Sequence, residues 1–146
     1  MDHIIALKGR QGSGKTETID ILAHVIFAQN HQFQLQNETA IGSKDFRAVY
    51  KFENVMIGVT SVGDTYDLVK ENLQKLVSAG CTICICACHT RDNGEYPHGT
   101  NTAISEFDPP FQIQFIPKTL QEREEQYLAT NQSDAMILYR SLNTVI

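Results

Sequence analysis

Apolar residues first gather at Ile4 to Leu7, an unbroken run closed by Lys8 and Gly9. A run this short, stopped by glycine, predicts a strand buried on both faces, as in a parallel sheet. From Gly14 the spacing changes. Ile19, Leu22, Ala23, Ile26 and Phe27 fall into one apolar stripe, which predicts a helix reaching Gln29. Residues 31–44 are polar, rich in Gln and Asn, and show no period. They predict a loop, with a short extended piece near Phe33 to Leu35.

Two β-prone runs follow, Phe46 to Phe52 and Val55 to Thr60, with only Glu53 and Asn54 between them. So short a connection holds no crossover helix, and the two strands are predicted to pair as an antiparallel hairpin. Beyond Ser61-Val62-Gly63-Asp64, the residues Tyr66, Val69, Leu73, Leu76 and Val77 share a helical face that Gly80 stops. Cys81 to Cys88 reads as a further buried strand. Residues 89–110 read as a loop with one helical turn at Thr102 to Phe107, and a loop of this length is expected to serve function or movement. Phe111 to Ile116 alternates apolar with polar, as a strand near a sheet edge does, and Pro117 ends it. Thr119-Leu120-Gln121-Glu122 has capping-box spacing and predicts a polar helix. Ser133 is placed to cap a last one, whose apolar positions include Met136, Ile137, Tyr139 and Leu142.

This order predicts a single three-layer α/β domain over residues 1–146. Its sheet is expected to be mainly parallel and five-stranded, with the hairpin strand Phe46 to Phe52 running against the others and helices on both faces. A chain of 146 residues buries enough of its surface to need neither disulfides nor a structural metal. Its 12 basic and 17 acidic residues give a net charge of -5, with no cluster of Lys and Arg, which argues against nonspecific nucleic-acid binding. No apolar run nears the roughly 20 residues that span a bilayer, and the start MDHIIALKG does not resemble a secretory signal. A soluble, cytoplasmic protein with no membrane partner is expected; a protein partner or a second copy of the chain stays open. Cys84, Cys86 and Cys88 alternate along one strand, about 6.6 Å between neighbours, too far apart to bridge comfortably. Alternation also spreads them out where a zinc knuckle would wrap them together, so reduced core thiols are expected.

The polar stretch between the first strand and helix carries the chemistry. Gly9, Gly14, Lys15 and Thr16 satisfy G-x-x-x-x-G-K-[S/T], the phosphate-binding signature known as Walker A. Its glycines let the backbone curl until successive N–H groups point inward, at the positive end of a helix. With this motif between a strand and a helix, the chain resembles the P-loop NTPase superfamily. That resemblance implies the P-loop fold and a nucleoside triphosphate with Mg2+ as ligand, held by Gly9, Arg10, Gln11, Gly12, Ser13, Gly14, Lys15, Thr16 and Thr18. Lys15 is then expected to reach the β and γ phosphates, and Thr16 to place its hydroxyl on the metal.

The resemblance also implies an acid that holds the metal from the end of a neighbouring strand, here VMIGVTS. In P-loop GTPases the matching place carries D-x-x-G. This chain has Thr60-Ser61-Val62-Gly63 and then Asp64, so the glycine fits while the acid follows it. Gly63 is expected to offer its N–H to a γ phosphate, and Asp64 to act as the displaced metal acid, as the N-cap of the next helix, or as both. The guanine-reading N-K-x-D is absent after the cysteine strand, which favours ATP over GTP. Arg91, just past the C-terminal end of that strand, is placed to meet a base or a phosphate. His89, Asp92 and His98 share its loop as candidate acids or bases, and Thr39 and Ser43 lie where P-loop GTPases keep a switch threonine. The expectation is an ATP-binding P-loop protein, a magnesium-dependent NTPase or small phosphotransferase in which Lys15 and Asp64 are catalytic. A GTPase-like switch, or a nucleotide-binding module without efficient catalysis, is the alternative.

Overall fold

The first apolar run forms β1, Asp2–Lys8, in a computed structural model that describes residues 2–91, 99–121 and 123–146. Ile5 and Leu7 face one hydrophobic core, and Ile4 and Ala6 face another on the opposite side of the sheet. Strand alternation explains this division, since neighbouring side chains point to opposite faces. The cysteine strand β5, Ile83–Cys88, divides in the same way. Ile83, Ile85 and Ala87 join the first core, and Cys84, Cys86 and Cys88 the second. All four cysteines are buried. Burial pushes the Cys81 thiol up to about 11 and those of Cys84 and Cys86 higher still, so they stay protonated core residues.

Helix α1, Lys15–Ile21, continues through a π turn at Leu22–Ile26 and a 3-10 turn at Phe27–Gln29. Its buried Ile19, Leu22, Ala23 and Phe27 pack in the first core together with Ala135, Leu138 and Leu142 of α4, Tyr127–Asn143. The second core takes Val69, Leu73 and Leu76 from α2, Tyr66–Ser78, and Ala103 and Ile104 from α3, Thr100–Ser105. Helices therefore cover both faces of the sheet in three layers, as expected.

The remaining strands are β2, Phe33–Ile41, β3, Asp45–Phe52, β4, Val55–Thr60, and β6, Phe111–Pro117. The sheet has six strands in the order β2-β3-β4-β5-β1-β6, which corrects the expectation of five. The extra strand is β2, which was expected to be a loop with a short extended piece. It pairs antiparallel with β3 from Phe33 opposite Phe52 to Ile41 opposite Asp45. Of its side chains only Phe33 is buried, so its order comes from backbone pairing that leaves no apolar period to read. As expected, β3 alone runs against the other strands.

The C-terminal third departs most from expectation. Residues 119–121 form no helix, and Glu122 of the expected capping box lies outside the described residues. Thr119 donates instead from its N–H and hydroxyl to the two carboxylate oxygens of Asp134, at 2.9 and 2.7 Å. Ser133 caps nothing, because α4 runs through it without a break. The buried side of α4 consists of Asn131, Asp134, Ala135, Leu138 and Leu142, which share one helical face and leave Met136 and Ile137 exposed. Among the described residues no helix is long and apolar enough to cross a membrane.

Candidate functional site

The parallel strands β4, β5, β1 and β6 end on one edge of the sheet, where ligands collect in open α/β folds. The loop after β1 is rooted there by both neighbours. Gly9 N–H donates to the Cys88 carbonyl at 3.1 Å, and Lys118 N–H donates to the Lys8 carbonyl at 2.7 Å. Ser13 N–H closes the loop on the Arg10 carbonyl at 3.2 Å. Gly14 precedes the first turn of α1 with φ at 93°, and a Cβ on it would lie 2.5 Å from the Asn131 side-chain oxygen. Both the backbone angle and the space therefore demand glycine at this position. Within the loop, the Ser13 hydroxyl oxygen is buried and has no hydrogen-bond partner, the mark of a polar group set for something else.

Lys15 reaches back over the loop. Its ammonium donates to the carbonyls of Gly9 and Arg10, at 2.6 and 3.0 Å. Burial pushes it below the ordinary lysine range, while the nearby Cys88 and Asp64 pull the other way. On the next residue, the Thr16 hydroxyl donates to Asp45 Oδ1 at 3.3 Å. Asp45 opens β3 and also accepts from the Ser61 hydroxyl at 2.8 Å. Ser61, at the end of β4, is held in turn by Phe46 N–H, which donates to its hydroxyl at 3.0 Å. Asp45 and Ser61 are site residues that sequence reasoning missed. Asp45 fell between the polar loop and the hairpin strand, and its one signal is its place as the acid that opens a strand at the ligand edge.

Asp64 is exposed, and its backbone carbonyl meets His89 Nε2 at 3.0 Å. It is near enough to act on the Lys15 charge, but the acid in contact with Thr16 is Asp45. Nor does Asp64 cap α2. Thr65 does so, accepting from Leu68 N–H at 3.2 Å, because its extended backbone aims its hydroxyl along the first turn. The strand VMIGVT is also not a neighbour of β1, since β5 lies between them. Gly63 packs on β5 so closely that a Cβ there would meet the Ala87 backbone at 3.0 Å.

Other expected residues are scattered. Thr18 is fully buried, its hydroxyl spent on the Gly14 carbonyl at 2.7 Å and the Asn131 side chain at 3.3 Å, so it supports the loop from behind. Arg91 is exposed beyond β5. Thr39 lies in β2 opposite Arg47, and Ser43 is in the exposed turn after it. Asp92 and His98 lie outside the described residues.

A buried ion pair braces the loop from the far side. Lys118 Nζ and Asp134 Oδ2 are 2.8 Å apart, with side chains 0% and 3% exposed. With Thr119 also donating to Asp134, both carboxylate oxygens have partners, the condition under which a buried charge is tolerated. Lys118 also fills the space beside Gly9, where a Cβ would come within 2.8 Å of its own. In front of the loop opens a cleft of about 600 Å³. One wall is formed by residues 10–14 with Glu17, the other by Leu120, Gln121, Tyr127 and Asn131. Comparison of the chain with family models, curated proteins and solved structures returns no match.

Proposed function

We propose that the chain is a P-loop protein that binds ATP with magnesium through residues 9–16 and hydrolyses or transfers the γ phosphate. The observation that carries this reading is the Lys15 ammonium, folded onto the Gly9 and Arg10 carbonyls beside an unpartnered Ser13 hydroxyl. A cation and donors gathered at the start of a helix suit an anionic chain of phosphates. Lys15 would exchange its carbonyl partners for phosphate oxygens, and the loop N–H groups would hold the rest.

The residues also suit magnesium, because Thr16 and Asp45 supply two hard oxygen donors in contact with each other. Asp45 takes the part first expected of Asp64, which remains close enough to act on Lys15. When bound, magnesium neutralises charge on the β and γ phosphates. Strand order weighs against the GTPase-like alternative, since β5 separates the loop strand from the strand before Gly63. Isothermal titration with ATP and with GTP, each with magnesium, tests the reading. Tighter binding of ATP supports it, and a clear preference for GTP overturns the choice of base.

A further inference from the structure

Residues 10–14 of the proposed phosphate loop, with Glu17, form one wall of the cleft, and the phosphate reading leaves the other wall unexplained. On that second wall Leu120 is 61% exposed and Tyr127 42% exposed. Large apolar side chains that line a concave surface beside polar groups mark a ligand site, whereas the same residues scattered on a convex surface would not. The volume of about 600 Å³ lies within the range of small-molecule clefts. Leu120 follows β6 and Tyr127 opens α4. Thr119 and Lys118 tie the two elements together through Asp134. Lys118 N–H, bonded to the Lys8 carbonyl, and Asn131, bonded to Thr18, fasten them beside the loop. This wall therefore stands at a fixed place relative to Lys15.

Resting on the nucleotide reading above, we infer that this cleft holds the nucleobase, with Tyr127 giving its ring to stack on the base and Leu120 adding apolar contact. Stacking suits every base, because each has a π face, and it leaves no sequence motif behind. Glu17 and Gln121 lie on the same cleft and offer polar groups to the base edge. Arg91, the residue first expected to meet the base, is not part of this lining.

The test titrates the full chain with magnesium ATP and, as a ligand without a base, magnesium tripolyphosphate. Tyr127→Ala is expected to lower ATP affinity on the order of tenfold and leave tripolyphosphate affinity unchanged. Tyr127→Phe should bind ATP like the wild type, since the ring and not the hydroxyl does the stacking. Leu120→Ser, at a still more exposed position, gives a second variant with little risk to folding. The inference is overturned if Tyr127→Ala and Leu120→Ser both bind ATP as the wild type does, or if they weaken both ligands equally. Failure of the phosphate reading looks different, because Lys15→Ala would then leave tripolyphosphate binding intact.

Discussion

Thr16 and Asp45 stand 29 residues apart in the chain, yet their side chains meet at 3.3 Å. The contact exists because β3 runs against the parallel strands, which brings its first residue, not its last, to the edge where the loop lies. Asp45→Asn keeps an oxygen to accept from Ser61 and removes the negative charge, so the fold should survive. The magnesium concentration needed for half-maximal ATP binding should rise on the order of tenfold in this variant. Titrating magnesium at fixed ATP measures it, and an unchanged midpoint would remove Asp45 from the proposed metal site. Asp64→Asn, measured alongside, should move the midpoint less.

At the scale of elements, His24 ties the first helix to the edge strand. Its Nδ1 lies 2.7 Å from Asp20 one turn earlier, and its Nε2 lies 2.7 Å from Glu38 of β2. Burial lowers the His24 pKa, but the bonds to Glu38 and Asp20 together outweigh it and raise it above 6.5. A raised folded-state value means that the clasp stabilises fully below 6.5 and fades as pH climbs through the folded pKa. The melting temperature of His24→Gln should therefore fall furthest below wild type between about pH 5 and 6, where His24 carries its charge. The difference should shrink toward alkaline pH; a gap independent of pH would contradict the clasp. The same region explains what was illegible in the sequence. β2 buries only Phe33, which stacks on Phe27 with centroids 4.1 Å apart, so no pattern of apolar positions announced a strand. In α4, Asn131 and Asp134 occupy the buried side, so apolar spacing points to the exposed Met136 and Ile137 in their place.

Across the whole molecule, the two cores on either side of β1 and β5 make the layers, and the parallel run of β5, β1 and β6 sets the loop, the brace and the cleft on one edge of the sheet. That layering was readable from apolar spacing, as was the loop itself from its glycines and Lys15. The order of strands was not, because periodicity says which face a residue takes and nothing about which strand lies beside it. Hence Asp64 was expected at the metal, whereas the contact with Thr16 belongs to Asp45. The central claim is that this edge holds a triphosphate through Lys15, and titration of magnesium ATP into wild type and Lys15→Ala, side by side, tests it most directly. Wild type should bind, and the variant should bind weaker on the order of a hundredfold with its fold intact by circular dichroism. Equal binding by the two proteins, or no binding by the wild type, would contradict the account.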